Sequence, residues 1–77
     1  MRKDISARQN EILITITGYM KTKGYAPSIR EIAKLVKLAS TSTVASHMEK
    51  LKEKGYLTWE PGQPRTLQLL EKAKTAS

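Results

Sequence analysis

Small hydroxyl side chains crowd one short stretch of this 77-residue sequence: Ser40-Thr41-Ser42-Thr43, followed by Val44-Ala45-Ser46-His47-Met48. A hydroxyl both donates and accepts hydrogen bonds, so a set of them on one helix face suits a partner that displays both kinds of group. Just upstream, Pro27-Ser28-Ile29-Arg30-Glu31-Ile32-Ala33 reads as another short helix with a strong cap. Two short helices joined by a tight corner, in a chain with fourteen Lys+Arg against seven Asp+Glu, form the layout of a helix-turn-helix that enters the DNA major groove. Neither the helix pair nor the basic charge suffices alone; the conjunction carries the reading.

Nucleophilic catalysis is the other chemistry open to serine, and it needs a general base placed beside the hydroxyl. Ser and Lys are plentiful, but no spacing sets a pair in a pocket and the chain is too small to build one, so no enzyme activity is expected. One histidine and no cysteine exclude a multi-histidine or thiolate metal site, and no cofactor is expected. His47 falls near the inner face of its helix, where a packed structural role is the expectation.

Composition narrows the class further. Seventy-seven residues make one domain, and a chain of this size buries only about 60–65% of the surface its unfolded form exposes. With 39% hydrophobic residues and no disulfide, packed Ile, Leu, Val and Met must supply the core, leaving nothing for a deep ligand pocket. A net charge of +7 favours polyanionic partners. The longest apolar run, Ile12-Leu13-Ile14, is far too short to span a membrane, and no apolar segment follows Met1-Arg2-Lys3 as a signal peptide would require. Cytoplasmic residence, at the nucleoid, is the expectation.

The elements that position the hydroxyls follow from local patterns. After a short basic arm over residues 1–5, Ser6 and Gln9 form a capping box, and Ile12, Leu13, Ile16, Tyr19 and Met20 recur at helical spacing. Gly24, after Lys21 and Lys23, ends that first helix. Ser28 and Glu31 form a second box, followed by an apolar stripe of Ile29, Ile32, Ala33 and Val36, with Leu38 anchoring the corner. Ser40 caps a third helix whose inner face is Val44, Met48 and Leu51 and which ends at Gly55. Ser42, Ser46, Glu49 and Lys50 fall on its opposite face, with Thr43 and Ala45 at the flanks.

Beyond Gly55 the period drops to two. Leu57 and Trp59 alternate with Tyr56 and Thr58, Leu67 and Leu69 with Thr66 and Gln68, and Pro61-Gly62 between them suits a type II turn. The expected fold is therefore mainly α with a small β-hairpin: a three-helix winged helix-turn-helix over residues 1–70, then a polar tail over residues 71–77. Among the cations, Arg8, Arg30 and Lys34 lie on helices able to abut a phosphate backbone, and Lys50 is the best placed on the third helix. Lys52 and Lys54 are expected to be merely solvated, and Trp59 to anchor the core or the wing base.

These residues resemble the DNA-binding domain of the LexA family of SOS-response repressors. The matching pieces are Ser6-Ala7-Arg8-Gln9, Gly24-Tyr25-Ala26-Pro27-Ser28-Ile29-Arg30-Glu31-Ile32, Ala39-Ser40-Thr41-Ser42-Thr43-Val44 and His47-Met48-Glu49-Lys50-Leu51, with Lys54-Gly55 and Pro64-Arg65 continuing into the wing. The likeness covers about residues 4–70 in one register. It implies a repressor module that occupies an inverted-repeat operator, reading bases with Ser40, Ser42, Thr43, Ala45 and Ser46. Hydroxyls address base edges, while the Thr43 and Ala45 methyls suit thymine methyls; for Ser40, helix capping is an equal alternative. Gln63 and Arg65 would reach phosphate or the minor groove from the wing.

Three departures from the family pattern matter. Lys37 stands at the corner usually held by glycine, which costs some stability if the backbone there is left-handed. Ala45 and Ser46 differ from the usual side chains, so the operator is expected to differ too. The self-cleaving peptidase domain with its Ser–Lys dyad, which also makes the family's dimer, is not in this sequence; an excised fragment and a stand-alone domain both fit. Without it, the chain is expected to be a monomer in solution, with two copies meeting on a palindromic operator. A winged helix can instead bind a repressor or polymerase subunit, and an adaptor of that kind would expose apolar residues on the third helix. Non-specific nucleic-acid coating would want a stacking platform, which 5% aromatic residues do not provide.

Overall fold

The computed structural model describes residues 4–60, 62, 66–71 and 73. Ser6 and Ser28 stand in extended backbone, and each closes a full capping box with Gln9 or Glu31. The cap hydroxyl accepts from the N–H three residues on, and that residue's side-chain oxygen accepts from the cap's own N–H. These boxes open α1 (Ala7–Lys23) and α2 (Ile29–Leu35). Ser40 opens α3 (Thr41–Glu53), its hydroxyl accepting from the Thr43 N–H at 3.4 Å.

α1 stops where the sequence says it should. Gly24 takes φ 81°, which an L side chain rarely adopts, and its N–H donates to the Met20 carbonyl at 2.9 Å. The helix buries Ile12, Leu13 and Ile16, with Met20 at the edge of the core. Tyr19 is half-buried; its ring meets Tyr25 edge-on at 5.7 Å and its hydroxyl donates to Glu31 at 2.5 Å. The capping carboxylate of α2 is thereby tied to α1.

α2 buries Ile32, Ala33 and, just past its end, Val36. Ile29, expected on the same stripe, is instead 38% exposed. It is the first residue of a seven-residue helix, so it projects from the opening turn rather than from the turn that Ile32 and Ala33 press into the core. α3 packs on both α1 and α2 through Val44, Met48 and Leu51, all buried as the 3.6-residue period requires.

The wing begins with β1 (Leu57–Thr58), paired antiparallel to β2 (Gln68–Leu69) in the register Leu57↔Leu69 and Thr58↔Gln68. Leu57 and Leu67 are buried, while Trp59 and Leu69 pack half-buried against the same core. Tyr56 departs from the expected alternation and is buried beside Leu57. It belongs to the bend after Gly55 rather than to the pleat, and its hydroxyl reaches Asp4 at 2.5 Å. The basic arm is accordingly fastened at its inner end, with Ile5 in the core. Gly62 takes φ 75°, the sign a type II turn requires at its third residue; Pro61 lies outside the described residues. Within the segment expected as a polar tail, Ala73 is buried, its N–H donating to the Leu70 carbonyl at 3.0 Å.

Lys37 is the one non-glycine among the described residues with positive φ, at 58°. A left-handed L residue costs roughly 1–2 kcal/mol, and glycine returns part of that gain as unfolded-state entropy. Lys37→Gly is therefore expected to stabilise the domain by about 0.5–1 kcal/mol, raising its melting temperature by about 2–8 °C. Thermal unfolding followed by circular dichroism checks this; an unchanged or lower midpoint would mean the corner is not strained.

Candidate nucleic-acid interface

α3 presents two chemically distinct faces. Opposite the buried Val44–Met48–Leu51 stripe, Ser42, Thr43, Ser46, Glu49 and Lys50 are exposed, and Ala45 is half-buried at the flank. The i, i+4 spacing of Ser42, Ser46 and Lys50 sets them in one line along the helix. Ser40 is exposed at the helix start, where its oxygen already serves the Thr43 N–H; that bond is long at 3.4 Å. Small hydroxyls and methyls leave this face nearly flush with the helix backbone, so another surface can approach it closely.

The corner between α2 and α3 sets the angle of that face. Leu38 N–H donates to the Ala33 carbonyl at 2.9 Å, and Lys37 N–H to the Lys34 carbonyl at 3.3 Å. Arg8 braces the same corner from α1, donating from Nη1 to the Val36 carbonyl at 3.4 Å while pairing with Glu11 at 2.9 Å. Its guanidinium is thus shared between an internal contact and a surface ion pair. Arg30 and Lys34 are exposed on α2. Lys50 lies 3.8 Å from Glu53 with both side chains more than half exposed, a contact weak enough to be exchanged for a phosphate.

The chain aligns with known proteins. The LexA DNA binding domain family matches residues 2–66. The chain belongs to that family. It is 47% identical over 73 residues to a LexA repressor from Geobacillus sp. (strain WCH70), covering 95% of this chain and 35% of that protein. It is 42% identical over all 77 residues to a LexA repressor from Desulfitobacterium hafniense (strain DSM 10664 / DCB-2), covering 38% of the latter. A Staphylococcus aureus (strain USA300) LexA repressor is 44% identical over 68 residues, 88% of this chain and 33% of that one. The chain spans about a third of the length of the curated relatives it matches.

Within the LexA DNA-binding fold, the expected base-facing set Ser40, Ser42, Thr43, Ala45 and Ser46 gathers on the first turns of α3. Arg8, Arg30 and Lys34 come from α1 and α2, and Lys50 from the far end of α3. Gln63 and Arg65 lie outside the described residues. Lys52 is not the solvated charge expected of it: its ammonium sits over the Trp59 ring, 4.6 Å from the centroid. Arg8 as a brace and Lys52 as a ring partner both escaped the sequence reading, since each depends on which strand or helix end lies alongside. Among the described residues no helix is long and apolar enough to cross a membrane, and no group of three His, Asp or Glu gathers as a metal site would.

Proposed function

We propose that this chain is a sequence-specific reader of duplex DNA, the operator-binding module of a LexA-like transcriptional repressor. α3 enters the major groove, where Ser42, Thr43, Ala45 and Ser46, with Ser40 at the helix start, address base edges. Arg30, Lys34, Lys50 and the wing residues Gln63 and Arg65 hold the phosphate backbone, with Arg8 contributing through the guanidinium nitrogens its brace does not use. One observation carries the reading: the outer face of α3 is exposed, hydroxyl-rich and free of large apolar side chains, on a chain of net charge +7. Likeness to proteins named LexA repressor supports a role in SOS-response repression in the cytoplasm, at the nucleoid.

The adaptor alternative needs apolar side chains on α3. Among the described residues, the exposed large apolar side chains are Ile14, Tyr25, Ile29 and Leu35, which lie on α1, α2 and the loop between them. That distribution favours DNA. The free chain is a monomer, and two copies meet only on a two-fold operator. Selection from random duplexes is expected to enrich one inverted repeat, while sedimentation at micromolar concentration shows a monomer alone and two protomers on the selected site. Failure to enrich any sequence would remove the functional reading, and a tight DNA-free dimer would remove the assembly.

A further inference from the structure

The wing has too little ladder to hold its own angle. β1 and β2 contribute two residues each, and a two-stranded hairpin of this size is marginal in water. Something outside the ladder must fix the hairpin against α3. At its inner end the tie is the core: Leu57 and Leu51 are fully buried, and Tyr56 N–H donates to the Leu51 carbonyl at 3.0 Å. Two steps beyond the last ladder pair, Thr66 Oγ1 accepts from the Glu60 N–H at 2.8 Å and joins the strands there. Trp59 lies between these points, half-buried against the core, and the Lys52 ammonium on α3 sits 4.6 Å over its ring.

We propose that Lys52 and Trp59 are positioning residues that lock the base of the wing to the recognition helix, so that helix and wing meet a half-site as one rigid unit. This rests on the DNA-reading function proposed above. The physical basis is specific. Trp is the best ring for an ammonium, the partners come from the two elements whose relative pose matters, and both are half-buried, where water competes less. Lys52 then has its charge directed at the ring. It differs from Lys50, one residue pair earlier on the exposed face, which is loosely paired and available to a phosphate.

The test separates a positioning lysine from a phosphate ligand. Lys52→Met keeps the stem and removes the charge; Trp59→Leu keeps the apolar packing and removes the ring. Each is expected to weaken operator binding by about 2- to 5-fold, and the double variant to lose no more than either single, because one contact is removed in every case. The salt dependence is expected to stay parental, the hydroxyl-radical footprint to weaken on the wing side only, and Lys52→Arg to restore the parent. Trp59 is the sole tryptophan, so its emission reports the contact without DNA, and Lys52→Met is expected to shift it. A loss with Lys52→Met accompanied by a salt slope shallower by about 0.9, with Trp59→Leu neutral, would make Lys52 a phosphate ligand and overturn the proposal. Additive losses, or emission unmoved by Lys52→Met, would overturn it as well. If the parent binds no duplex, the functional reading fails and positioning falls with it, while the emission arm still judges the contact.

Discussion

Raising monovalent salt from about 50 to about 200 mM is expected to weaken binding of one domain to duplex DNA by roughly 100-fold. The magnitude follows from counterion release. On the proposed interface Arg30, Lys34, Lys50 and Arg65 would neutralise about four phosphates, each contributing about −0.9 to the slope of log K against log salt, for about −3.6 in all. Arg8 stands outside these four as a weaker contact, because its charge is already partly neutralised by Glu11 while its remaining guanidinium nitrogens would face the phosphate. Lys50→Ala should weaken binding to every sequence alike and flatten the slope by about 0.9, because phosphates carry no sequence code. Fluorescence anisotropy of a labelled duplex across a salt series measures both. A flat response would contradict phosphate anchoring and promote the adaptor reading.

Leu51→Ala should destabilise the fold strongly. Leu51 is wholly buried on α3, and its carbonyl accepts the Tyr56 N–H that starts the wing. Leu→Ala in a packed core costs about 2–5 kcal/mol. At the usual 0.05–0.15 kcal/mol per residue, a chain of 77 residues has only about 4–12 kcal/mol in total. The melting temperature is expected to drop by at least about 10 °C, whereas Ser42→Ala, on the opposite face, should stay within about 0.5 kcal/mol of the parent. Thermal melts of both variants decide it. Similar midpoints would mean that the Val44–Met48–Leu51 stripe is not the face that packs.

What was legible in the sequence was what is set within one or two helical turns. The capping boxes at Ser6 and Ser28 join residues three apart, and the α3 stripe repeats at the helix period, so both appear where they were expected. The left-handed corner at Lys37 was legible through the family's glycine at that place. The features that escaped are long-range or lie at element ends. Tyr56 was assigned outward by strand alternation, but it precedes the strand and binds Asp4, fifty-two positions away. Ile29 shares the α2 stripe by spacing, yet as the opening residue it is not covered. Lys52 needed the hairpin's position, Arg8 needed the end of α2, and Ala73 sits in a polar-looking tail with no period to mark it. For the site, the α3 hydroxyls were legible as a face, because helix geometry alone separates them from the buried stripe.

The claim that α3 reads bases is tested most directly by repeating the duplex selection with Ser42→Ala and Ser46→Ala beside the parent. Both side chains are exposed on the face opposite the core, so the variants should fold as the parent does. Loss of a base contact costs about 1–3 kcal/mol, and it should appear as relaxed preference at one or two operator positions with the rest of the site unchanged. Ser40→Ala provides the contrast, since removing an N-cap lowers stability by about 0.5–2 kcal/mol whatever the DNA. The expected result is a selected inverted repeat whose inner or outer positions blur in the Ser42 and Ser46 variants. Selection of the parental operator with undiminished discrimination by both variants would show that the hydroxyl face of α3 is not the reader.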